Sequence, residues 1–214
     1  MIHDRFERLA AARLYLVCDE MPDERLDAAL RGGVQVVQLR IKETLADRIV
    51  TVARRFREVC AAHDVPLIIN DHPELVAEAD ADGVHLGQDD VPVAQARQLL
   101  GGERIIGLST HDPAQIEAAH DVPADYIGVG PVYSTPTKPG RPAVGTDLIA
   151  HARRHARLPF FAIGGVNAAN LETVLSAGAE RVAVVRAITQ APDPELAARE
   201  LRTILDSRVQ VAAT

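Results

Sequence analysis

Short apolar runs alternate with longer amphipathic segments along the whole chain. The runs are rich in Val, Ile and Leu and are almost continuously apolar, which is typical of parallel strands covered on both faces. The predicted strands are Tyr15–Cys18, Val36–Arg40, Pro66–Asn70, Gly83–Gly87, Arg104–Ser109, Tyr126–Gly130, Pro159–Gly164 and Arg181–Arg186. Helical spacing separates them, most clearly over Ala46–Ala62 and Pro194–Leu205, and Asp112 followed by Pro113 is typical of a helix start. The pattern predicts eight strand-helix units.

Eight units in 214 residues leave about 27 residues for each, the size of a strand, a helix and two short loops. The best interpretation is one α/β domain over residues 1–214, a (β/α)8 barrel with a parallel eight-stranded core and with residues 1–13 as an N-terminal helical extension. The alternative is a doubly wound open sheet, which normally has a glycine-rich turn after its first strand. The segment from Cys18 to Pro22 contains no glycine.

Charge and composition narrow the class of ligand. The 23 Lys and Arg against 30 Asp and Glu give a net charge of −7, so no basic field attracts nucleic acid or an anionic membrane. Cys18 and Cys60 match neither a zinc nor a redox motif, and no stretch approaches the length of a membrane span. We expect a cytoplasmic protein with small phosphorylated molecules as partners and with neither nucleic acid nor membrane; a homo-oligomer is left open.

Polar residues collect at the carboxyl ends of the predicted strands, which form the working face of such a barrel. In the second strand, period-2 alternation places Gln38, Arg40 and Lys42 on the same side. These three side chains favour an anion, and the alternative is that Arg40 and Lys42 are solvated charges at the start of a loop.

Two carboxylates follow neighbouring strands. Asp71 comes directly after Asn70 at the end of the third strand, and Asp90 follows the fourth. Such a pair suggests Mg²⁺, which prefers one or two carboxylates with phosphate oxygens and water. The alternative is that each Asp caps a helix, since each precedes a proline-containing helix start. His85, inside the fourth strand, is interpreted as a hydrogen-bonded core histidine.

The loop after the sixth strand combines hydroxyl groups, turn residues and one cation. Residues 134–140 include Lys138 between prolines, a composition that suits a lid closing over a phosphate, although an ordinary exposed loop has a similar composition. A catalytic triad of Ser109, His111 and Asp112 is improbable, because side chains so close in sequence diverge.

Glycines and backbone groups dominate the last two strand ends. Gly164 and Gly165 follow the seventh strand, and Val185 and Arg186 end the eighth. Loops after these two strands form the usual monophosphate site of this barrel. The sequence therefore predicts two anion sites, one cationic and metal-assisted for a diphosphate, the other built from backbone for a monophosphate.

Six motifs, in order over residues 14–190, resemble thiamine phosphate synthase. The motifs are Gln38-Leu39-Arg40-Ile41-Lys42, Ile69-Asn70-Asp71, Val84–Asp90, Ile106–Ser109, Gly130–Lys138 and Ala162–Val166. The resemblance implies a (β/α)8 barrel that joins hydroxymethylpyrimidine diphosphate to thiazole phosphate and releases pyrophosphate, with one Mg²⁺ in each active site. It also implies a dissociative displacement, in which neutralising the leaving diphosphate matters more than an acid or a base.

Site residues follow from the same resemblance, position by position. The pyrimidine diphosphate site that it implies contains Gln38, Leu39, Arg40, Ile41, Lys42, Asn70, Ser109 and Lys138. The thiazole phosphate site contains Thr135, Pro136, Thr137, Gly165, Val185 and Arg186. Asp71 and Asp90 would bind Mg²⁺, and Arg40, Ser109 and Lys138 would be catalytic. One departure is Arg186, where many members of the family have Ser; a backbone contact would tolerate the change and a hydroxyl contact would not.

Three other functions compete with thiamine phosphate synthesis as interpretations of this sequence. A thiazole tautomerase shares the barrel but needs no diphosphate site. The presence of a diphosphate site is indicated by five residues together, Arg40, Lys42, Asp71, Asp90 and Lys138, and this argues against a tautomerase. A phosphate-binding barrel isomerase needs a base at a strand end, and none is convincing. A non-catalytic phosphate-ligand-binding barrel would have no use for the carboxylates and lysines.

Overall fold

A computed structural model describes residues 2–135 and 142–212, with side chains over residues 5–135 and 142–208. The strands are β1 (Leu14–Cys18), β2 (Val36–Leu39), β3 (Leu67–Asn70), β4 (Gly83–Leu86), β5 (Ile105–Thr110), β6 (Tyr126–Val129), β7 (Phe160–Ile163) and β8 (Val182–Val184). They are parallel and close into a barrel in chain order, with β8 paired to β1. The predicted (β/α)8 fold is confirmed, and the doubly wound sheet is excluded.

Helices cover the outside of the barrel. They are α1 (Ile2–Ala11), α2 (Asp23–Arg31), α3 (Ala46–Ala62), α4 (Val93–Leu100), α5 (Pro113–Ala118), α6 (Asp147–His155), α7 (Ala168–Ser176), α8 (Arg186–Thr189) and α9 (Pro194–Ala212). The predicted bounds of α3 are confirmed at both ends, and α9 begins where predicted but runs longer. The third unit differs from the prediction, because a 3-10 turn at Pro73–Leu75 replaces its helix. No helix in the described ranges has both the length and the apolar content that a bilayer crossing requires.

Five strands end earlier than the hydrophobic pattern predicts; β4, β6 and β7 each end one residue early, and the other two end next to predicted site residues. β2 ends at Leu39 rather than Arg40, and β8 ends at Val184 rather than Arg186. The chain leaves the hydrogen-bonded ladder at these points, and the following residues lie at the carboxyl end of the barrel. Polar residues that were expected inside strands therefore belong to the loops that surround the site.

The hydrophobic core has two layers. One lies between strands and helices, and the other fills the barrel, where Tyr15, Tyr126 and Phe161 are fully buried and stack edge to face. Leu9 and Ala12, in and just after α1, join the inner layer. Arginines of α1 bond carbonyls that precede β3 and β5, so α1 covers the amino end of the barrel and leaves the carboxyl end open.

Candidate active site

A cavity of about 1040 Å³, counted with its open mouth, occupies the carboxyl end of the barrel. Barrel closure brings strand ends that are far apart in sequence to this one space. The predicted site residues that line it are Gln38, Arg40, Asn70, Ser109, Thr135, Gly165, Val185 and Arg186.

Other predicted site residues lie elsewhere. The side chain of Leu39 is buried between strands and helices, and Ile41 packs against the same layer, so either residue can meet a cavity ligand only through its backbone. The alternation expected from Gln38 to Lys42 stops where β2 ends, and Lys42 lies beside Asp71 rather than in the cavity wall. Three further predictions, Pro136, Thr137 and Lys138, fall outside the described residues.

A chain of hydrogen bonds crosses the floor of the cavity from β2 to β5. Gln38 Nε2 donates to the Tyr15 hydroxyl (2.9 Å), which lies 2.8 Å from the Tyr126 hydroxyl. The Tyr126 hydroxyl is 2.9 Å from His85 Nδ1, and His85 Nε2 is 2.9 Å from Ser109 Oγ. Five side chains from five strands thus form one network beneath the cavity.

The direction of donation in this network follows from its first bond. Each phenol has one hydrogen, and the arrangement that uses both has Tyr15, which accepts from Gln38, donating to Tyr126, and Tyr126 donating to His85 Nδ1. In that arrangement His85 Nε2 carries a hydrogen and donates it to Ser109. Burial raises the pKa of both tyrosines, which keeps their hydroxyls protonated. Ser109 is left with its own hydrogen to offer to a ligand.

The predicted metal ligands Asp71 and Asp90 lie within hydrogen-bonding reach of each other, and Asp71 interacts with Asn70, which lines the cavity. Burial, then a hydrogen bond with Asp90, and then the charge of Asp90 raise the pKa of Asp71, while Lys42 and Asn70 act in the opposite direction. Lys42 Nζ lies 3.5 Å from an Asp71 oxygen. Two carboxylate groups in contact repel each other when both are ionised, and a divalent cation with a preference for oxygen relieves that repulsion. The donor set fits Mg²⁺.

Capping does not explain either carboxylate. The turn after Asp71 and helix α4 after Asp90 both begin without a side-chain cap. Asp90 instead accepts from the Gly87 amide (2.6 Å), inside its own loop. Asp71 has a positive φ of 66°, and its amide donates to the His85 carbonyl (2.9 Å). Asp and Asn enter this left-handed region more readily than other non-glycine residues, so the turn suits an Asp at position 71.

Arg40 supplies positive charge to the cavity wall. Over residues 5–135 and 142–208, no carboxylate pairs with its guanidinium. A guanidinium that faces a cavity without an internal counter-ion suits a carboxylate or phosphate ligand. The alternative in which Arg40 is simply a solvated loop charge does not match its place in the wall.

The opposite end of the cavity is built from backbone. Gly164 and Gly165 have φ of 104° and 68°, and the loop after β6 packs against them, with the Tyr133 amide donating to the Gly164 carbonyl (3.0 Å). An added Cβ would lie 2.5 Å from Pro131 Cα at Gly164 and 2.7 Å from Tyr133 Cβ at Gly165. Both positions therefore require glycine.

Two helices begin at this same end. The α7 N-terminus has a capping box made by Asn167 and Asn170, and Asn170 Nδ2 also donates to the Gly165 carbonyl (2.9 Å). Helix α8 begins at Arg186, and Val185 and Arg186 line the cavity. First-turn amides have no partner within their own helix, so they can donate to an anion. This arrangement favours a backbone contact to the ligand at position 186, and a backbone contact is compatible with Arg in place of Ser.

The sequence reasoning missed Tyr15 and Tyr126 and interpreted His85 only as a core residue. His85 is hydrogen-bonded, as expected, but it also lines the cavity. One signal was available: a tyrosine on the barrel-facing side of a strand places a polar tip in an apolar interior and needs a partner there. Which partner it finds depends on barrel closure, which no local pattern shows.

Comparison with known proteins gives a consistent result. A family model described as thiamine monophosphate synthase matches residues 14–188. The thiamine-phosphate synthase of Gloeobacter violaceus is 51% identical over 189 residues, 87% of this chain and 55% of that protein. That of Acidothermus cellulolyticus is 49% identical over 199 residues, 90% of this chain and 94% of that protein.

A solved structure agrees with these sequence matches. Thiamine phosphate pyrophosphorylase from Pyrococcus furiosus superimposes with a TM-score of 0.85 at 28% identity and covers 96% of this chain and 98% of its own. The chain spans only 55% to 59% of the length of the first four curated relatives, whereas Acidothermus cellulolyticus has a relative of nearly matching length.

Proposed function

The chain belongs to the thiamine monophosphate synthase family, and from this premise we propose that it is a transferase that couples hydroxymethylpyrimidine diphosphate to thiazole phosphate, forming thiamine phosphate and pyrophosphate. The observation that supports the proposal is one cavity with two ends suited to anions, one with charged side chains and one made of backbone. Two phosphorylated substrates that must meet need such a pair of ends.

The floor network orients the pyrimidine substrate. Gln38 is held by Tyr15 on one side, and Ser109 is held by His85, so both polar groups face the cavity in one defined orientation. Their fixed direction means that little reorganisation is needed as the substrate reacts. Asn70, which also lines the cavity, stands beside the carboxylate pair.

The charged end stabilises the departing diphosphate. Arg40 can donate two parallel hydrogen bonds to phosphate oxygens, and Lys42 and Lys138 would add positive charge. Asp71 and Asp90 would hold Mg²⁺, which when bound supplies further positive charge to the leaving group. The residues at this end neutralise the charge that grows on the leaving group, so the chain needs no catalytic triad.

The backbone end receives the second substrate. Amides around Gly165 and at the start of α8 would bind the thiazole phosphate, with Thr135, Pro136 and Thr137 as further ligand-binding residues and Arg186 adding a cation. The thiazole nitrogen can then attack the pyrimidine methylene carbon. A cytoplasmic location and a homo-oligomeric state remain predictions.

The test is to mix both phosphorylated heterocycles with Mg²⁺ and the purified chain and to measure pyrophosphate and thiamine phosphate. We expect both products in equal amounts, with none when either substrate is omitted. Arg40→Ala should abolish most of the release, whereas Arg48→Ala, which removes a surface partner of Glu20, should not. Tautomerisation of the thiazole without pyrophosphate release would instead indicate a tautomerase, and ligand binding with no turnover would indicate a binding protein.

A further inference from the structure

A cluster of metal-ligating side chains lies on the outside of the barrel, away from the cavity. Helices α5 and α6 pack against each other there, and they carry Glu117 on α5 and His151 and His155 on α6. The two histidines are four residues apart, which places them on one face of the helix. Their rings stack with centroids 4.3 Å apart and an interplanar angle of 23°.

The distances within this cluster suit a shared ion. His151 Nε2 lies 3.4 Å from Glu117 Oε1, and one ligand atom from each of the three residues lies within 4.8 Å of the others. Two ligands on the same tetrahedral zinc ion, each about 2.0–2.1 Å from it, are about 3.4 Å apart. A rotation of the exposed His155 side chain would bring the third ligand to the same distance.

A buried polar atom in the cluster lacks a hydrogen bond. His151 Nε2 is buried and makes no hydrogen bond within the part of the chain that the structure describes. A buried ring nitrogen without a hydrogen bond loses its hydration without compensation. Coordination of a cation by the nitrogen lone pair, with Glu117 on the same ion, would compensate for that loss.

We propose that Glu117, His151 and His155 bind a zinc-class transition-metal dication at a site separate from the magnesium carboxylates. Two imidazoles and one carboxylate form a donor set for Zn²⁺, Ni²⁺ or Cu²⁺, whereas Mg²⁺ prefers oxygen ligands alone. A water molecule completes the coordination. The ion links α5 to α6, the helices that follow β5 and β6, and so it stabilises the folded barrel.

The test is zinc titration of the untagged chain by calorimetry, in excess Mg²⁺ so that the carboxylates at Asp71 and Asp90 are occupied. We expect one Zn²⁺ per chain, and at least a tenfold weaker Kd for His155→Gln, an exposed position where the substitution leaves the core untouched. His151→Gln should weaken binding as well. His120→Gln is the matched control, because His120 lies just after α5 and accepts from the Arg157 amide (3.3 Å) outside the cluster.

Thermal unfolding supplies a second measurement. At zinc concentrations about a hundredfold above Kd, the Tm of the parent chain should rise by roughly 5–10 °C, and that of His155→Gln by much less. Absence of zinc binding would overturn the proposal. So would binding that both histidine variants retain and that Asp71→Asn removes, because the ion would then occupy the active-site carboxylates.

Discussion

The two ends of the cavity are built by opposite means. At the β2–β4 end, charged side chains predominate. Arg40 lies in the cavity wall, and Asp71 and Asp90 form a pair with Lys42 beside it. At the β7–β8 end, the cavity wall around Gly164 consists mainly of backbone groups. The loop after β6 packs against them and holds them in place. One end depends on charge and the other on shape.

This difference predicts how each end responds to substitution. A carboxylate replaced by its amide keeps nearly the same volume, so the charged end can lose its function while the barrel keeps its fold. A glycine at positive φ with backbone packed against it tolerates no side chain, so the backbone end should lose stability and binding together. The variants below separate these two behaviours.

The largest effect is expected from Asp90→Asn. The amide oxygen can still accept from the Gly87 amide, but the charge that we propose for Mg²⁺ binding is gone. By analogy with the loss of one electrostatic contact to the transition state, turnover should fall by about 10²–10³. Steady-state rates over a magnesium titration measure this loss of turnover. Asp89→Asn is the control, because Asp89 is the exposed neighbour of Asp90. Equal rates in the two variants would remove Asp90 from the metal site.

Gly164→Ala should act on stability instead. Its Cβ would lie 2.5 Å from Pro131 Cα at a φ of 104°, and strain and overpacking together cost about 3 kcal/mol. For a chain of this size the Tm should fall by roughly 10 °C. Gly145→Ala is the control, because Gly145 also has a positive φ of 71°, but no atom of the residues that the structure describes lies within 4 Å of an added Cβ. If both variants lose the same stability, packing against Pro131 is unimportant.

The fold and much of the site could be predicted from the sequence because both depend on local patterns. Apolar runs mark the eight strands, and the bounds of α3 follow from helical periodicity. Arg40 and Asn70 follow apolar runs at strand ends, which a barrel turns toward one face. The bond between Tyr15 and Tyr126 joins β1 to β6, and it exists only after the barrel closes, so no local signal announces it. The left-handed backbone of Asp71 is equally invisible, since sequence favours Gly there.

Tyr126→Phe tests the network across the cavity floor that links Gln38 to Ser109. The change removes the hydroxyl between Tyr15 and His85, so each of these residues loses one buried hydrogen bond, which costs about 1–3 kcal/mol. Ser109 loses its defined orientation, so KM for the pyrimidine diphosphate should rise while KM for thiazole phosphate stays nearly unchanged.

Tyr133→Phe is the matched control for this experiment. Tyr133 lies at the backbone end, and its hydroxyl makes no hydrogen bond to the residues that the structure describes. A Tyr126→Phe variant with both KM values unchanged would show that the network contributes to stability alone.

The smallest effect, and the one of opposite sign, is expected from Asp71→Asn in chelator. The folded pKa of Asp71 is raised, chiefly by burial and next by Asp90, so ionising Asp71 costs folding free energy. That cost is absent well below the ordinary Asp pKa of about 3.9 and is complete once the pH exceeds the folded pKa. The variant should therefore melt slightly above the parent at about pH 7.5, with the gap closing toward about pH 4. Asn tolerates positive φ, so backbone strain does not obscure the comparison.

Added Mg²⁺ should stabilise the parent and leave the variant unchanged, which reverses the order of the two melting temperatures. A variant that melts below the parent at neutral pH without metal would show that Lys42, 3.5 Å from Asp71, outweighs the repulsion from Asp90.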